Sequence, residues 1–339
     1  MKRTPLFLFA LIASLLATTA GYCRHGEFPE FSKKEEELEG PWFTGPLLSS
    51  SPHIVPLGYI NFEPYLVAQN YYGEYDKNWH PHSTPRTQTI TPIFFFQMGL
   101  TKDLDFQFNP QFFYQQSQGA SATRLGDTSV ALDYQLLWDK KGEWWPAIKL
   151  FVREFFPTGK YQHFDPKKNF TDDAGAGVFE TDFGVVIGRI VHLTGIHYLS
   201  PRFTFIYGVS SNVHLEGFNN YGGGFGTKGT AKVGSTFTTV FGTELNISKN
   251  WALAVDIAYL YGNKTTFHGK RGFNADGTQA VVGGPSFNQV SVAPALEYNF
   301  SEEVGIIAGA WFTVAGRNDF EFASGVLAIN WYFNFRKGK

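Results

Sequence analysis

A chain of 339 residues with 43% hydrophobic content, 17% aromatic residues and 36 glycines holds enough apolar material for a large structure, yet its mean hydropathy of −0.17 is that of a chain half turned to water. A net charge of −2 leaves no basic stripe to neutralise phosphates, which argues against a nucleic-acid partner, and a single cysteine, Cys23, excludes an internal disulfide. A membrane β-barrel reconciles these values, because one face of each strand meets lipid and the other a polar lumen.

In chain order, Lys2 and Arg3 form a basic start, Leu6 to Ala17 an apolar run, and Thr18-Thr19-Ala20 a small-residue site, the three parts of a secretory signal peptide over residues 1–20. The apolar run falls short of the ~20 residues of a spanning helix, and no later uncharged segment reaches that length. The chain is therefore expected to be exported. Residues 21–56 differ in kind, with the charge run Lys33-Lys34-Glu35-Glu36-Glu37-Leu38-Glu39 followed by Pro, Gly and Ser. They read as a solvated periplasmic lead-in. Two alternatives are a lipid-modified Cys23, against which the bulky Tyr22 argues, and a small plug folded back into the barrel through Trp42 and Phe43.

From Leu57 to Phe335 the chain alternates. In Leu104 to Gln115 almost every even position is apolar or aromatic, while Asp105, Gln107, Asn109, Gln111 and Gln115 occupy odd ones. Strand candidates begin near Leu57, Thr87, Leu104, Asp127, Ala147, Gly175, Arg202, Thr230, Trp251, Phe287, Val304 and Phe320, which makes twelve. Short links such as Thr101 to Asp103 and Ser248 to Asn250 alternate mostly with long ones such as Tyr72 to Arg86, Gly159 to Ala174, Leu215 to Gly229 and Asn263 to Ser286. This asymmetry fits short periplasmic turns and long external loops, and an even count places both termini in the periplasm of a Gram-negative bacterium.

Midway along the chain, Gly126-Asp127-Thr128-Ser129-Val130 leads into a strand, Asp139 to Pro146 turns it, and the next strand ends Phe156-Pro157-Thr158-Gly159. This sequence resembles the Gly-Asp strand, short turn and Pro-Thr-Gly strand of the outer-membrane proteins grouped with the meta-cleavage pathway of phenol degradation. The resemblance implies a channel or transporter for hydrophobic, often aromatic compounds and carries over no catalytic residues. The last strand adds a further cue. Leu327, Ile329, Trp331, Phe333 and Phe335 share one parity, like the C-terminal recognition strand read by the barrel-assembly machinery, although the basic tail Arg336 to Lys339 follows. Trp138, Trp144, Trp145, Trp251 and Trp331 fall near strand ends, as an interfacial aromatic girdle requires.

Parity assigns a lumen. Glu63, Gln97, Asp105, Gln107, Gln111 and Asp133 should face inward in the first four strands, and Lys149, Arg153, Glu180, Asp182, Glu244, Asp256 and Glu297 in the later ones. Lys or Arg on the lipid face at the midplane would cost about 2–4 kcal/mol, so energetics agree with parity for Lys149 and Arg153. These charges serve either as salt-bridge ladders across a narrow interior or as a constriction selecting solutes. Pro64, Pro92 and Pro110 fall inside three consecutive strands at similar depth. Proline removes a ladder donor, so the trio reads either as separate bulges or as a lateral path from lumen to bilayer.

Other readings are weaker. A lipid hydrolase would need a serine held against a histidine, for which His82-Ser83 and the set Ser210, Ser211, Asn212 and His214 are the candidates. Gly224-Phe225-Gly226-Thr227-Lys228-Gly229 matches a dinucleotide fingerprint but has no βαβ context, and His80-Pro81-His82 with Asp76 lacks a third convincing metal ligand. A structural or adhesive surface barrel would work through its long loops. The expectation is a twelve-stranded all-β outer-membrane barrel that passes small, hydrophobic or aromatic solutes, with outer-membrane lipid as its surroundings and no cofactor.

Overall fold

The computed structural model describes residues 41–139 and 144–335. The signal-peptide segment, Cys23, the charge run at 33–39 and the basic tail at 336–339 lie outside the described residues. The chain forms a closed antiparallel barrel of twelve crossings. In order these are β1 (Tyr59–Tyr75), β2 (Pro81–Gly99), β3 (Leu104–Asn109) continued by β4 (Phe112–Ser117), and β5 (Ala120–Leu125) continued by β6 (Thr128–Leu137). Then follow β7 (Ala147–Phe156) and β8 (Glu180–Gly188), the small hairpin β9 (Val191–Thr194) and β10 (His197–Leu199), and β11 (Arg202–Ser210). Above β11 stands β12 (Asn212–Glu216), and β13 (Lys228–Lys232) leads down into β14 (Thr236–Asn246). β15 (Trp251–Gly262) runs up into β16 (Thr266–Lys270), and β17 (Phe287–Asn299), β18 (Val304–Arg317) and β19 (Asp319–Asn334) complete the wall. β1 pairs with both β2 and β19, which closes the barrel.

The period-2 pattern sets the faces. In β19, Leu327, Ile329 and Trp331 are exposed to the outside while Val326, Ala328 and Tyr332 are buried toward the lumen. Trp144, Trp145, Trp251 and Trp331 are exposed at one end of the wall, as a girdle requires. The strand starts lie within a few residues of expectation for most crossings, with two differences. Tyr72 to Arg86 is not a long loop, because β1 and β2 extend to a tight turn at Asp76 to His80. The loops expected at Leu215 to Gly229 and Asn263 to Ser286 contain strands, and β12, β13 and β16 pair in a separate three-stranded sheet above the wall.

The wall is irregular along one line. Pro64 pairs with Phe94, whose N–H donates to the Pro110 carbonyl at 3.0 Å, so two of the prolines flank one residue of β2. Pairing of β1 with β19 lapses between Phe62 and Tyr65, and pairing of β2 with its other neighbour lapses at Pro92, between Ile93 and Ile90. Pro110 separates β3 from β4, Gly126-Asp127 separates β5 from β6, and β7 ends opposite Thr128, so β5 has no second strand beside it.

Candidate functional site

All thirteen polar residues assigned to the lumen by parity are buried inside the barrel. The structure brings several of them together. Lys149 Nζ lies 3.1 Å from Asp133 Oδ2, Gln107 donates to the same carboxylate, and Arg153 pairs with Asp182. Asn61 and Asn330 both donate to Glu63 Oε1, at 2.6 and 3.1 Å. Arg202, which marked only a strand start in the sequence, is fully buried and pairs with Glu244. Its parity with Thr204 and Ile206 is the signal that would have found it.

These carboxylates also hold a segment of the chain itself. The lead-in expected to be solvated is, over residues 41–56, mostly buried within the half of the lumen that holds the β14–β15 and β17–β18 turns. Thr44 N donates to Glu297 Oε2 at 2.9 Å, Gly45 N to Glu244 Oε1 at 2.8 Å, and Leu48 N and Ser49 N to the two Asp256 oxygens at 2.8 and 3.1 Å. Further along, Ile54 N donates to Gln135 Oε1 and Val55 N to Asp105 Oδ2. The physical reason is reciprocal. A segment without secondary structure has backbone donors to satisfy, and buried carboxylates need donors once water is displaced. The wall makes room with glycines: a Cβ at Gly242 would fall on Ser49, at Gly305 on Thr44, at Gly188 against Pro52, and at Gly99 on the Pro56 carbonyl. Outside the wall, His53 Nε2 meets Asp139 Oδ1 at 2.7 Å. Burial alone would raise the Asp139 carboxyl, but the His53 contact and the charges of His53 and Arg189 hold it below its ordinary value.

Polar residues are only part of the lumen. Tyr65, Tyr71, Ile93, Phe95, Trp311, Phe320 and Phe322 are buried on the same inward parity and form one apolar cluster with Leu47 and Leu48 of the inserted segment. Tyr71 meets Phe320 and Phe322 edge-on or tilted at 5.7 and 5.8 Å, and Trp311 meets Phe322 at 4.8 Å. Reading parity for aromatic as well as charged residues would have exposed this wall. Ile93 and Phe95 adjoin Pro92, and on the lipid side of the same stretch Phe94 stacks with Phe62 at 6.3 Å and meets Phe112 at 6.5 Å.

The residues that carried the family resemblance meet at one junction. Thr158 Oγ1 donates to the Gly126 carbonyl at 2.7 Å and accepts from Thr128 N at 3.0 Å, while Asp127 accepts from Gly159 N at 2.8 Å and Ala176 N at 2.7 Å. The Gly-Asp and Pro-Thr-Gly turns thus clamp both ends of the 157–179 loop, which turns inward and packs with Tyr221, Ala280 and Val282 over the end of the lumen opposite the inserted segment. The fingerprint-like Gly224 to Gly229 is a turn in this cap, with Thr227 Oγ1 accepting from Gly224 N.

The hydrolase candidates are not assembled. Ser211 Oγ accepts from Phe179 N, Ser210 donates to Glu180, and His214 faces Glu216 at 3.5 Å. Asp76 holds its own turn through Asn78 N and His80 N, and its contacts to His80 and His82 are long, 3.8 and 3.4 Å. Among the described residues no group of three or more candidate metal ligands occurs.

The barrel resembles the outer membrane channel COG4313 from Pseudomonas putida F1, with a TM-score of 0.63 over 82% of this chain and 97% of that one, at 15% identity. The fold is that of an outer-membrane β-barrel. Looser likenesses, with TM-scores of 0.39 and 0.35 and 8% identity each, reach the CymD monoaromatic hydrocarbon channel and a Pseudomonas aeruginosa FadL homologue, and add nothing to the fold assignment. No family model and no curated protein matches the chain.

Proposed function

We propose that the protein is an outer-membrane channel passing small hydrophobic or aromatic solutes, with both termini in the periplasm. The observation that carries this reading is the aromatic lumen wall of Tyr65, Phe95, Trp311 and Phe322, which reaches the irregular stretch of the barrel at Pro92 and Pro110. An apolar solute gains by leaving water for such a wall, and Leu47 and Leu48 already sit on it as a solute would. The inserted segment closes the periplasmic half of the lumen to ions, so the apolar solute leaves sideways, through the line of missing ladder bonds flanked on the lipid face by Phe94 and Phe112. The polar lumen residues then act as the frame that anchors the segment. The phenol-pathway resemblance and the named substrate of the monoaromatic channel point to the same solute class.

The test is uptake of an apolar aromatic probe into proteoliposomes together with planar-bilayer conductance of the refolded protein. Probe uptake well above protein-free vesicles with small ion conductance is expected. Large conductance without apolar uptake would make the protein an ion-conducting porin instead. For orientation, Ala275→Cys, on an exposed stretch of the 263–286 loop, should react with an impermeant reagent on intact cells and Lys249→Cys should not. The reverse labelling would invert the topology.

A further inference from the structure

The three-stranded sheet above the wall has one covered and one bare face. Val213, Leu215 and Ala231 point inward and pack in the cap, whereas the opposite residues are exposed. That bare face is basic. Lys228 and Lys270 stand side by side in register, Lys232 lies four residues along β13 from Lys228, and Glu216, which Lys228 contacts at 3.0 Å, is its one acid. His214 and His268 flank Thr230 between the two lysine rows. The face continues the outer surface of β11, β14 and β15, whose lipid-facing residues Phe205, Tyr207, Phe237 and Ile257 are exposed and apolar. The surface therefore changes from apolar to cationic at one height, over roughly 10–15 Å of strand, where lipid tails give way to headgroups.

We propose that this face docks the phosphates of the anionic glycolipid, lipopolysaccharide, that fills the outer leaflet of a Gram-negative outer membrane. The inference rests on the orientation above, which puts the sheet outside the cell. A phosphate next to a barrel needs a cation beside it, supplied either by a bridging divalent ion or by the protein, and three lysines at headgroup height supply it without a metal. Each lysine near an anionic membrane surface is worth about five-fold in binding. The flat sheet keeps the ammonium groups on one side and at fixed spacing, and its uniformly polar outer face carries no apolar residue to compete for lipid tails.

The experiment is native mass spectrometry of the refolded full chain released from detergent micelles doped with bisphosphorylated lipid A. The variant Lys228→Gln/Lys232→Gln/Lys270→Gln should lose retained lipid A by roughly 10-fold or more. Glu216→Gln should raise retention, and a count-matched control, Lys77→Gln/Lys102→Gln/Lys167→Gln, should leave it unchanged. Equal retention by the triple variant and the native protein, or equal binding of fully dephosphorylated lipid A, would overturn the docking face. Heat-modifiable gel mobility verifies that each variant folds, and all six lysines lie outside the wall. Labelling Ala275→Cys on intact cells, exposed on the loop beyond β16 and outside the three-stranded face, separates the two premises. A labelled residue with unchanged lipid A retention rejects docking alone, whereas an unlabelled one rejects the orientation and the proposal with it.

Discussion

Two sides of the barrel wall are built differently. β14 pairs with β15 over eleven residue pairs and β15 with β17 over twelve, with no shift of register, and the lumen behind them mixes small and apolar residues such as Val240, Ala254, Ala258 and Leu260 with the carboxylates Glu244, Asp256 and Glu297 that hold the inserted segment. On the other side the third and fourth crossings each split in two, β7 stops short, and the lumen behind them carries Gln107, Asp133, Lys149, Arg153 and Asp182. Backbone groups at membrane depth must be satisfied from within the protein. Where the ladder is whole, the strands satisfy themselves and the lumen carboxylates are left to receive the N–H groups of the inserted segment. Where it breaks, side chains take over: the Thr158 hydroxyl serves Gly126 and Thr128, and the Asp127 carboxylate serves Gly159 and Ala176. Polar side chains therefore serve the inserted segment on one side and the broken ladder on the other, while the proline line runs on to the apolar wall of Tyr65, Ile93 and Phe95.

The largest effect should come from breaking the regular side. Ile257 is exposed to lipid on β15, and Ile257→Arg places a charge there at about 2–4 kcal/mol if near the midplane, so the barrel should fail to assemble and its heat-modifiable mobility should vanish. The neighbouring Asp256→Asn faces the lumen and should assemble, while loosening Leu48 and Ser49, which donate to that carboxylate. Equal loss of assembly in both would mean that the two faces are misassigned.

A second effect tests whether the inserted segment is held by shape as well as by hydrogen bonds. In Gly242→Val the added carbons would overlap Ser49 Oγ, an overpacking that costs about 1–3 kcal/mol unless the segment moves. The segment should leave, ion conductance should rise, and the acids it covered should make the opened lumen cation-selective. Unchanged conductance with protection of residues 41–56 from protease would show that the wall yields instead.

The smallest effect is one of pH. Asp139 has a carboxyl held below its ordinary value of 3.8, so its contribution through His53 is fully present above that value and is lost only as pH falls through the lowered one. Conductance should therefore stay flat from neutral pH down to about 5, as far as this contact is concerned. A step within that range which disappears in Asp139→Asn would contradict the assignment.

Much of this contrast was legible in the sequence and some was not. Strict alternation in segments such as Leu104 to Asn109 gave the crossings and turned the named polar residues inward, because a one-residue slip would put a charge in lipid, but Arg202, Gln135 and Asp319 were passed over. The inserted segment was visible only as an alternative, a plug resting on Trp42 and Phe43, since residues 41–56 have no period and their anchors are backbone N–H groups, which every sequence contains. Its trace was indirect, in the inward-facing glycines Gly99, Gly188, Gly242 and Gly305. The external sheet was hidden for another reason. The inward parity flips between β11 and β12 and between β13 and β14, so the strands read as loops rich in Gly and Asn. The Gly-Asp and Pro-Thr-Gly motifs were visible as a resemblance, but only the structure brings them to one junction.

The most direct test of the account replaces the three prolines at once. Pro64→Thr/Pro92→Thr/Pro110→Thr restores ladder donors along the irregular line and leaves the lumen and its inserted segment alone, since all three positions lie outside the inward-facing set. Uptake of an apolar aromatic probe by proteoliposomes and ion conductance are measured on the same refolded preparation. The expected result is slowed apolar uptake with unchanged conductance and unchanged heat-modifiable mobility. Undiminished apolar uptake in the correctly folded triple variant would contradict a lateral route and return the prolines to a purely structural role.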